Sequence, residues 1–416
     1  MTSKCIVADI QETILHKKRL NKTISYIPTG ADLLDILVGG GEGEGYRNGT
    51  IVNFVGDKSS GKTFLACEVI AAAKNMFKDK LKWIYDDCES GFSFDTTRLY
   101  GFEIMPTTIS QRHKSKTIED AYCNVREFLE ALKQGEFGIY VIDSLDGLDS
   151  REGKKIADDQ FKAFKKAKEG EKEEKIKGSY RMQKAKYLSD TFFPGLADLI
   201  EKKNALLIII SQVRYNVDPM SFEKFTRSGG KAMDFYCHTV LWLANIYKML
   251  KKNRAIGVRI KAKNTKSKTP RPYREVFLDV LFDYGIDNIG SSINFLYDLL
   301  TPTGMAKEKD IKLSWDNNIE YTMKQLKEFL IDNKKENYYR KHINKVLKKI
   351  ELLDWIKADE TLFSKLEKQY SVKMSKNELI EYIEKNELQN ELKERTVAKW
   401  EAIEESIKTK RRPKYQ

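Results

Sequence analysis

The chain has 416 residues, a formal net charge of +13 and 41% hydrophobic residues, enough for a large buried core and long enough for one α/β domain with additions or about two to three domains. No apolar run reaches the roughly eighteen residues of a membrane span, and the start MTSKCIVADIQETILHKKRL lacks a signal-peptide layout. The five cysteines (Cys5, Cys67, Cys88, Cys123, Cys237) form no C-x-x-C pair and the four histidines form no ligand pair, which argues against zinc and disulfides and fits a reducing cytoplasm.

Residues 1–26 read as one amphipathic helix, with Ile6, Ile10, Ile14 and Leu20 near one face, able to pack on its own domain or on a neighbouring subunit. A short helix around Leu33, Leu34, Ile36 and Leu37 is then broken by glycines. Ile51, Val52, Phe54 and Val55 predict a buried strand, and GDKSSGKT follows it, fitting G-x-x-x-x-G-K-S/T from Gly56 through Asp57, Lys58, Ser59, Ser60, Gly61 and Lys62 to Thr63. The helical pattern FLACEVIAAAKNMF completes the strand, loop and helix order of a P-loop. The glycines let the backbone N–H groups turn inward as an anion nest at the positive end of the helix. Lys62 can then reach the β- and γ-phosphates of a nucleotide, and the Thr63 hydroxyl can ligate Mg²⁺.

KWIYDDCESGF predicts a second strand ending in acids, and GIYVIDSLDGL a third, with four apolar residues before Asp143 in the Walker B arrangement. Ser150 to Tyr187 is basic and polar, an exposed helix or mobile loop. ALLIIIS predicts a fourth strand ending at Ser211-Gln212, HTVLWLAN a fifth and EVFLDVLF another. Lys248 to Arg274 carries eleven Lys or Arg and no Asp or Glu, which favours an anionic partner. Beyond about Thr301 the pattern becomes helical and charged, and residues 301–416 are expected to form a separate α-helical domain with a basic tail. Alternating strands and helices imply a mostly parallel twisted sheet. Asp87, Glu89, Asp143 and Gln212 would lie with the P-loop at its carboxyl edge, where such sheets bind ligands.

In this order the motifs resemble the RecA recombinase family, from about Ile27 to Ile286. GDKSSGKT resembles its Walker A, YDDCES its strand-end D-x-E, YVIDSLDGL its Walker B and IIISQVR the strand whose terminal glutamine senses the γ-phosphate. TRSGGKAMDFYCHTV is similar to the end of the second DNA-binding loop, and RIKAKNTKSKTPRPY to the basic segment that reaches a neighbouring subunit's ATP. Three features depart from the bacterial pattern: the segment of the first DNA-binding loop (about 149–187) is longer, the adenine-stacking tyrosine has no clear counterpart, and the C-terminal helices differ. Together with the Lys- and Ile-rich composition, these departures resemble a phage-type member.

The resemblance implies a RecA-like P-loop ATPase core over 27–300, with ATP and Mg²⁺ as cofactors. Glu89 takes the role of catalytic carboxylate and Gln212 that of sensor, beside Lys62. The nucleotide would meet residues 56–63, Asp143 and Ser144, with Thr63 and Asp143 serving the metal and Lys263 and Lys266 acting across a subunit interface. DNA would meet Arg214, Arg227, Ser228, Gly229, Gly230 and Lys231 in a second loop over 213–231. The expected activity is ATP-dependent strand exchange in helical filaments on single-stranded DNA with a double-stranded partner, in a bacterial or phage-infected cytoplasm, with loading or single-strand-binding proteins as further partners. The alternatives are a RecA-core hexameric helicase and an ATP-gated mediator without strand exchange.

Overall fold

The computed structural model describes residues 25–40, 44–107, 114–168, 180–215, 225–268, 272–307, 311–312, 323–343, 349–370, 373–409 and 411. The helix expected over 1–26 lies outside these, apart from Ser25 and Tyr26, and Tyr26 already belongs to a strand. The elements up to the third long strand are β1 (Tyr26–Ile27), α1 (Asp32–Gly39), β2 (Tyr46–Arg47), β3 (Thr50–Gly56), α2 (Lys62–Phe77), β4 (Leu81–Asp87), α3 (Thr96–Tyr100), α4 (Ile118–Ala131) and β5 (Phe137–Asp143). Then come α5 (Arg151–Lys168), α6 (Tyr180–Tyr187), α7 (Phe193–Lys202), β6 (Ala205–Tyr215), β7 (Phe225–Arg227), α8 (Gly230–Tyr236), β8 (Thr239–Lys251), β9 (Arg254–Ser267), β10 (Glu275–Leu281), β11 (Gly285–Asp287) and α9 (Asn288–Leu296).

Nine of the described strands form one sheet, in the order β11-β10-β9-β8-β3-β6-β5-β4, with β7 paired to β6. Strands β8, β3, β6, β5 and β4 are parallel, whereas β9, β10, β11 and β7 join antiparallel. This is the mostly parallel α/β sheet expected from the alternation of strands and helices. The central strands are apolar on both faces because helices cover both sides. Along β6, Leu206, Ile208 and Ile210 enter one core with Val52, Phe54 and α2. Leu207 and Ile209 alternate into the other, with Ile51, Val55 and residues of α4 and α7. Each fully buried side chain of this size contributes about 1.5–3 kcal/mol.

Beyond the sheet lie β12 (Ile311–Lys312), α10 (Met323–Asp332), α11 (Glu336–Ile343), α12 (Lys349–Ala358), α13 (Glu360–Tyr370), β13 (Lys373–Met374), α14 (Lys376–Lys385) and α15 (Gln389–Ser406). The expected boundary needs a correction here. One compact unit is Lys307–Gln389, with a small core built on Phe329, Leu330, Ile356 and Leu366. The residues from Asn390 on belong instead to the unit of the large sheet. Trp400 of α15 enters the main core. Lys399 Nζ donates to the Phe295 and Leu296 carbonyls at 2.8 and 3.0 Å, capping the end of α9. Glu404 accepts two hydrogen bonds from Arg274, at 2.6 and 2.9 Å.

Lys393 lies 3.5 Å from Asp32 and 3.9 Å from Asp35. Burial pushes the Asp35 carboxyl up to about 7, against the opposing hydrogen bonds from Thr29 and the charge of Lys393. A carboxyl that holds its proton more tightly when folded stabilises the fold least once it must ionise, so its contribution falls as pH rises from about 4 to 7. Asp35→Asn should therefore gain thermal stability relative to the natural chain at pH 8 compared with pH 5, as read by paired melting curves. Trp400→Ala should lower the stability of the core by about 3–5 kcal/mol, seen as an earlier chemical-denaturation midpoint for the sheet-containing unit.

Candidate functional site

The site is built where β3 ends. Gly56 has no room for a side chain: an added Cβ would sit 2.2 Å from Ser60 Oγ and 2.7 Å from the Leu243 carbonyl. At Gly61 the backbone takes φ +86°, which glycine adopts without the cost a Cβ imposes, and α2 begins at the next residue. The loop between them curls around the Lys62 ammonium, which donates to the Gly56 and Asp57 carbonyls at 2.8 and 2.7 Å. Ser60 is buried, whereas Asp57, Lys58 and Ser59 are exposed at the rim. Burial lowers the Lys62 pKa, with Asp143, Asp57, Glu89 and Asp146 pulling the other way.

Register then aligns the acids. Asp87 is opposite Asp143 across the β4–β5 ladder, and Gly56 is opposite Gln212 across β3–β6. Asp143 Oδ2 accepts from the Thr63 hydroxyl at 2.7 Å and from the Tyr85 hydroxyl at 2.5 Å. Burial raises the Asp143 pKa against these bonds. Ser144 Oγ and, at 3.0 Å, Gln212 Nε2 donate to Glu89 Oε1. The three acids of YDDCES are thereby told apart. Asp86 is fully buried and takes hydrogen bonds from Thr107, Ser115 and Tyr140. Asp87 accepts from the Gly91 and Phe92 amides, both at 3.1 Å, and shapes the loop after β4. Glu89 alone of the three is exposed.

A cavity of about 540 Å³ is lined by Ser59 to Phe64, Asp87, Glu89 and Asp143. Its other wall is apolar, with Phe94, Val258, Val280 and Phe282. The motifs do not point to Phe94, Val258, Val280 or Phe282, because only the folded chain brings the loop after β4 and the strands β9 and β10 to this cavity. Tyr85, second partner of Asp143, was also missed, as was Asp146, although it stands inside the quoted motif YVIDSLDGL. A polar end with an anion nest, a cation and hard oxygen donors, opposite an apolar end, suits a nucleotide.

A family model described as the RecA N-terminal domain matches residues 11–287. The chain belongs to the RecA family. Among its relatives, a protein named RecA from Geobacter metallireducens is 29% identical over 277 residues, covering 66% of this chain and 72% of that protein. The one from Clostridioides difficile is 28% identical over 313 residues, 75% of this chain and 80% of its own. The one from Chloroherpeton thalassium is 28% identical over 295 residues, 71% and 73% respectively.

The residues expected to meet DNA in this RecA-family chain fall into three groups. Lys231 is exposed on α8, and Gly229 and Gly230 open that helix with φ +99° and +60°. Arg214 and Ser228, in contrast, are both bonded to Asp146. Arg227 departs from the expectation of a phosphate contact: its side chain is 9% exposed and pairs with Asp234 at 2.7 Å. In the acid-free stretch, Lys248, Lys251, Lys252, Arg254 and Lys268 are exposed, whereas three cations find acids from outside it. Arg259 is buried against Asp279 at 2.6 Å, Lys261 meets Glu275 at 2.8 Å and Arg274 meets Glu404. Signs that look segregated along the chain are mixed across the sheet. Lys263 is exposed, whereas Lys266 Nζ donates to the Phe235 carbonyl at 3.2 Å. The segment 149–187 contributes helices α5 and α6, and its residues 169–179 lie outside the described ones, as do residues 216–224 of the second loop. Among the described residues no helix is long and apolar enough to cross a membrane.

Glu89→Gln should slow nucleoside-triphosphate hydrolysis by about 10² to 10⁴-fold while nucleotide affinity is retained. Asp87→Asn should instead act on the loop that Asp87 holds, lowering the melting temperature. A steady-state phosphate-release assay beside a melting curve on each variant checks the assignment, and the reverse pattern overturns it.

Proposed function

We propose that this chain is an ATP-dependent DNA recombinase that assembles on single-stranded DNA and promotes pairing and strand exchange with a duplex. The observation that carries this reading is the Gln212–Glu89 contact: the cavity's exposed carboxylate is held by the residue from which β6 runs directly to Arg214. Chemistry at the cavity and the position of a cationic strand are thereby coupled through one side chain.

Lys62 binds the triphosphate within the loop Gly56 to Thr63. Glu89 orients the attacking water and receives its proton, and Gln212 holds Glu89 in place. The hydroxyl of Thr63 and the carboxylate of Asp143 are hard oxygen donors 2.7 Å apart, a donor set that suits Mg²⁺. Thr63 would hold the ion directly and Asp143 through water, and the bound ion supplies charge neutralisation at the phosphates. Ser144 donates to the same Glu89 oxygen as Gln212 does. Arg214, Ser228, Lys231 and the amides of Gly229 and Gly230 serve the DNA backbone, and Lys263 and Lys266 reach the nucleotide of an adjacent protomer in a head-to-tail filament. The apolar wall at Phe94 and Phe282 supports a stacked nucleobase.

The test is a strand-exchange assay with a circular single strand, a homologous linear duplex and ATP. Joint molecules are expected with the natural chain and none with Lys62→Ala, which lacks the cation of the phosphate nest. ATP-driven unwinding of the duplex without pairing would identify a helicase instead. DNA binding and ATP turnover with no exchange would identify a mediator.

A further inference from the structure

The turn that follows Asp143 carries a second carboxylate, Asp146, whose side chain is only 6% exposed. Three donors converge on it. The Gln212 backbone amide donates to Oδ2 at 2.7 Å, Arg214 Nη2 to Oδ1 at 2.6 Å, and the Ser228 hydroxyl to Oδ1 as well. Gln212 and Arg214 lie on β6, and Ser228 immediately follows β7, so one carboxylate ties together the two strands that bracket residues 216–224. The turn itself is anchored from behind. Lys184 Nζ donates to the Leu145 and Leu148 carbonyls, the latter at 2.7 Å. Burial lowers the Lys184 pKa while Asp146 raises it. The turn is thereby tied to α6 through Lys184 and to the end of β6 through Gln212 and Arg214.

We infer that Asp146 is a positioning residue that occupies Arg214 in place of a nucleic-acid phosphate, keeping the Gln212–Glu89 pair in its unstimulated arrangement until a polyanion withdraws Arg214. This rests on the DNA-dependent ATPase reading given above. The physical argument is one of charge. A carboxylate this buried needs a counter-charge, and its only direct cationic partner among the described residues is Arg214, whose side chain is 37% exposed and open to competition from solvent. A phosphate that binds the guanidinium leaves Asp146 with two neutral donors, an arrangement that favours movement of the carboxylate or of the β6 end toward water. Since the same carboxylate accepts from the Gln212 amide, that movement displaces the side chain holding Glu89. Phosphate binding at Arg214 and the state of the catalytic carboxylate become linked over a few covalent bonds.

The experiment uses the full chain with a poly(dT) oligonucleotide, reading ATP turnover with and without it and oligonucleotide affinity across a salt series. Asp146→Asn removes the competing charge and, because its amide nitrogen cannot accept, gives up either the Gln212 bond or the Arg214 and Ser228 bonds that tie the turn to β6 and β7. It should raise DNA-free turnover several-fold toward the stimulated level and tighten oligonucleotide binding several-fold at an unchanged salt slope. Arg214→Gln should flatten that slope by about 0.7, the value for one phosphate contact on a single strand, and, by leaving Asp146 without its cation, raise DNA-free turnover so that DNA adds no further stimulation. The double variant should show no further effect of Asp146→Asn. Unchanged DNA-free turnover and affinity in a folded Asp146→Asn protein, or weaker DNA binding by it, overturns the inference. Should that variant fail to fold, full DNA stimulation in Arg214→Gln overturns it equally. If the natural chain neither binds the oligonucleotide nor is stimulated by it, the DNA-dependent ATPase reading itself has failed and the inference falls with it.

Discussion

Strand β3 has a hydrogen-bonded parallel neighbour on each side, β6 and β8, and the site depends on that double pairing. Parallel pairing brings like ends together, so the carboxyl ends of β3, β6 and β8 emerge at one edge with Gly56 opposite both Gln212 and Leu243. A slip of one residue in either ladder would exchange the two faces of a strand whose Val52 and Phe54 enter one core while Ile51 and Val55 enter the other. Packing on both faces thereby holds the phosphate loop level with the glutamine. The contact between Gln212 and Glu89 follows from hydrophobic register as much as from polar attraction.

The chain's positive charge is distributed by the same sheet. Lys248 to Arg274 contains no acid, yet the register of β9 with β10 places Arg259 opposite Asp279 and brings Lys261 within reach of Glu275. The Arg259–Asp279 pair has both carboxylate oxygens engaged, at 2.6 and 3.0 Å, and a further guanidinium bond to the Gly304 carbonyl, which offsets its desolvation. These cations serve the fold. Lys248, Lys251, Lys252, Arg254, Lys263 and Lys268 of the same stretch, with Lys231 on α8, are exposed and remain as surface charge available to a polyanion.

The helix from Gln389 to Ser406 shows how a helical sequence can belong to a different unit from its neighbours. Its amphipathic pattern is weak, and its anchors are specific: Trp400 in the core, Lys399 on the end of α9 and Glu404 on Arg274. Nothing in the spacing of those three residues distinguishes them from a solvated face, since each needs its partner from more than a hundred positions earlier in the chain.

The sequence by itself determined the elements whose cause is local. The phosphate loop was legible because glycine is required at a steric pinch and at a left-handed residue, both within eight positions of one another, and the buried strands were legible as short runs apolar on both faces. The candidate roles of Lys62, Thr63, Asp143, Glu89 and Gln212 could be named from motif order, but the choice among Asp86, Asp87 and Glu89 could not be made by geometry until the ladder turned Asp86 inward and bonded Asp87 to its own loop. The burial of Arg227, the placement of Phe282 and Val258 at the cavity, the return of Trp400 and the three donors on Asp146 were decided only by tertiary structure. Each depends on a contact between residues that β-sheet order or helix packing brings together, and neither residue's immediate surroundings carry the other's position.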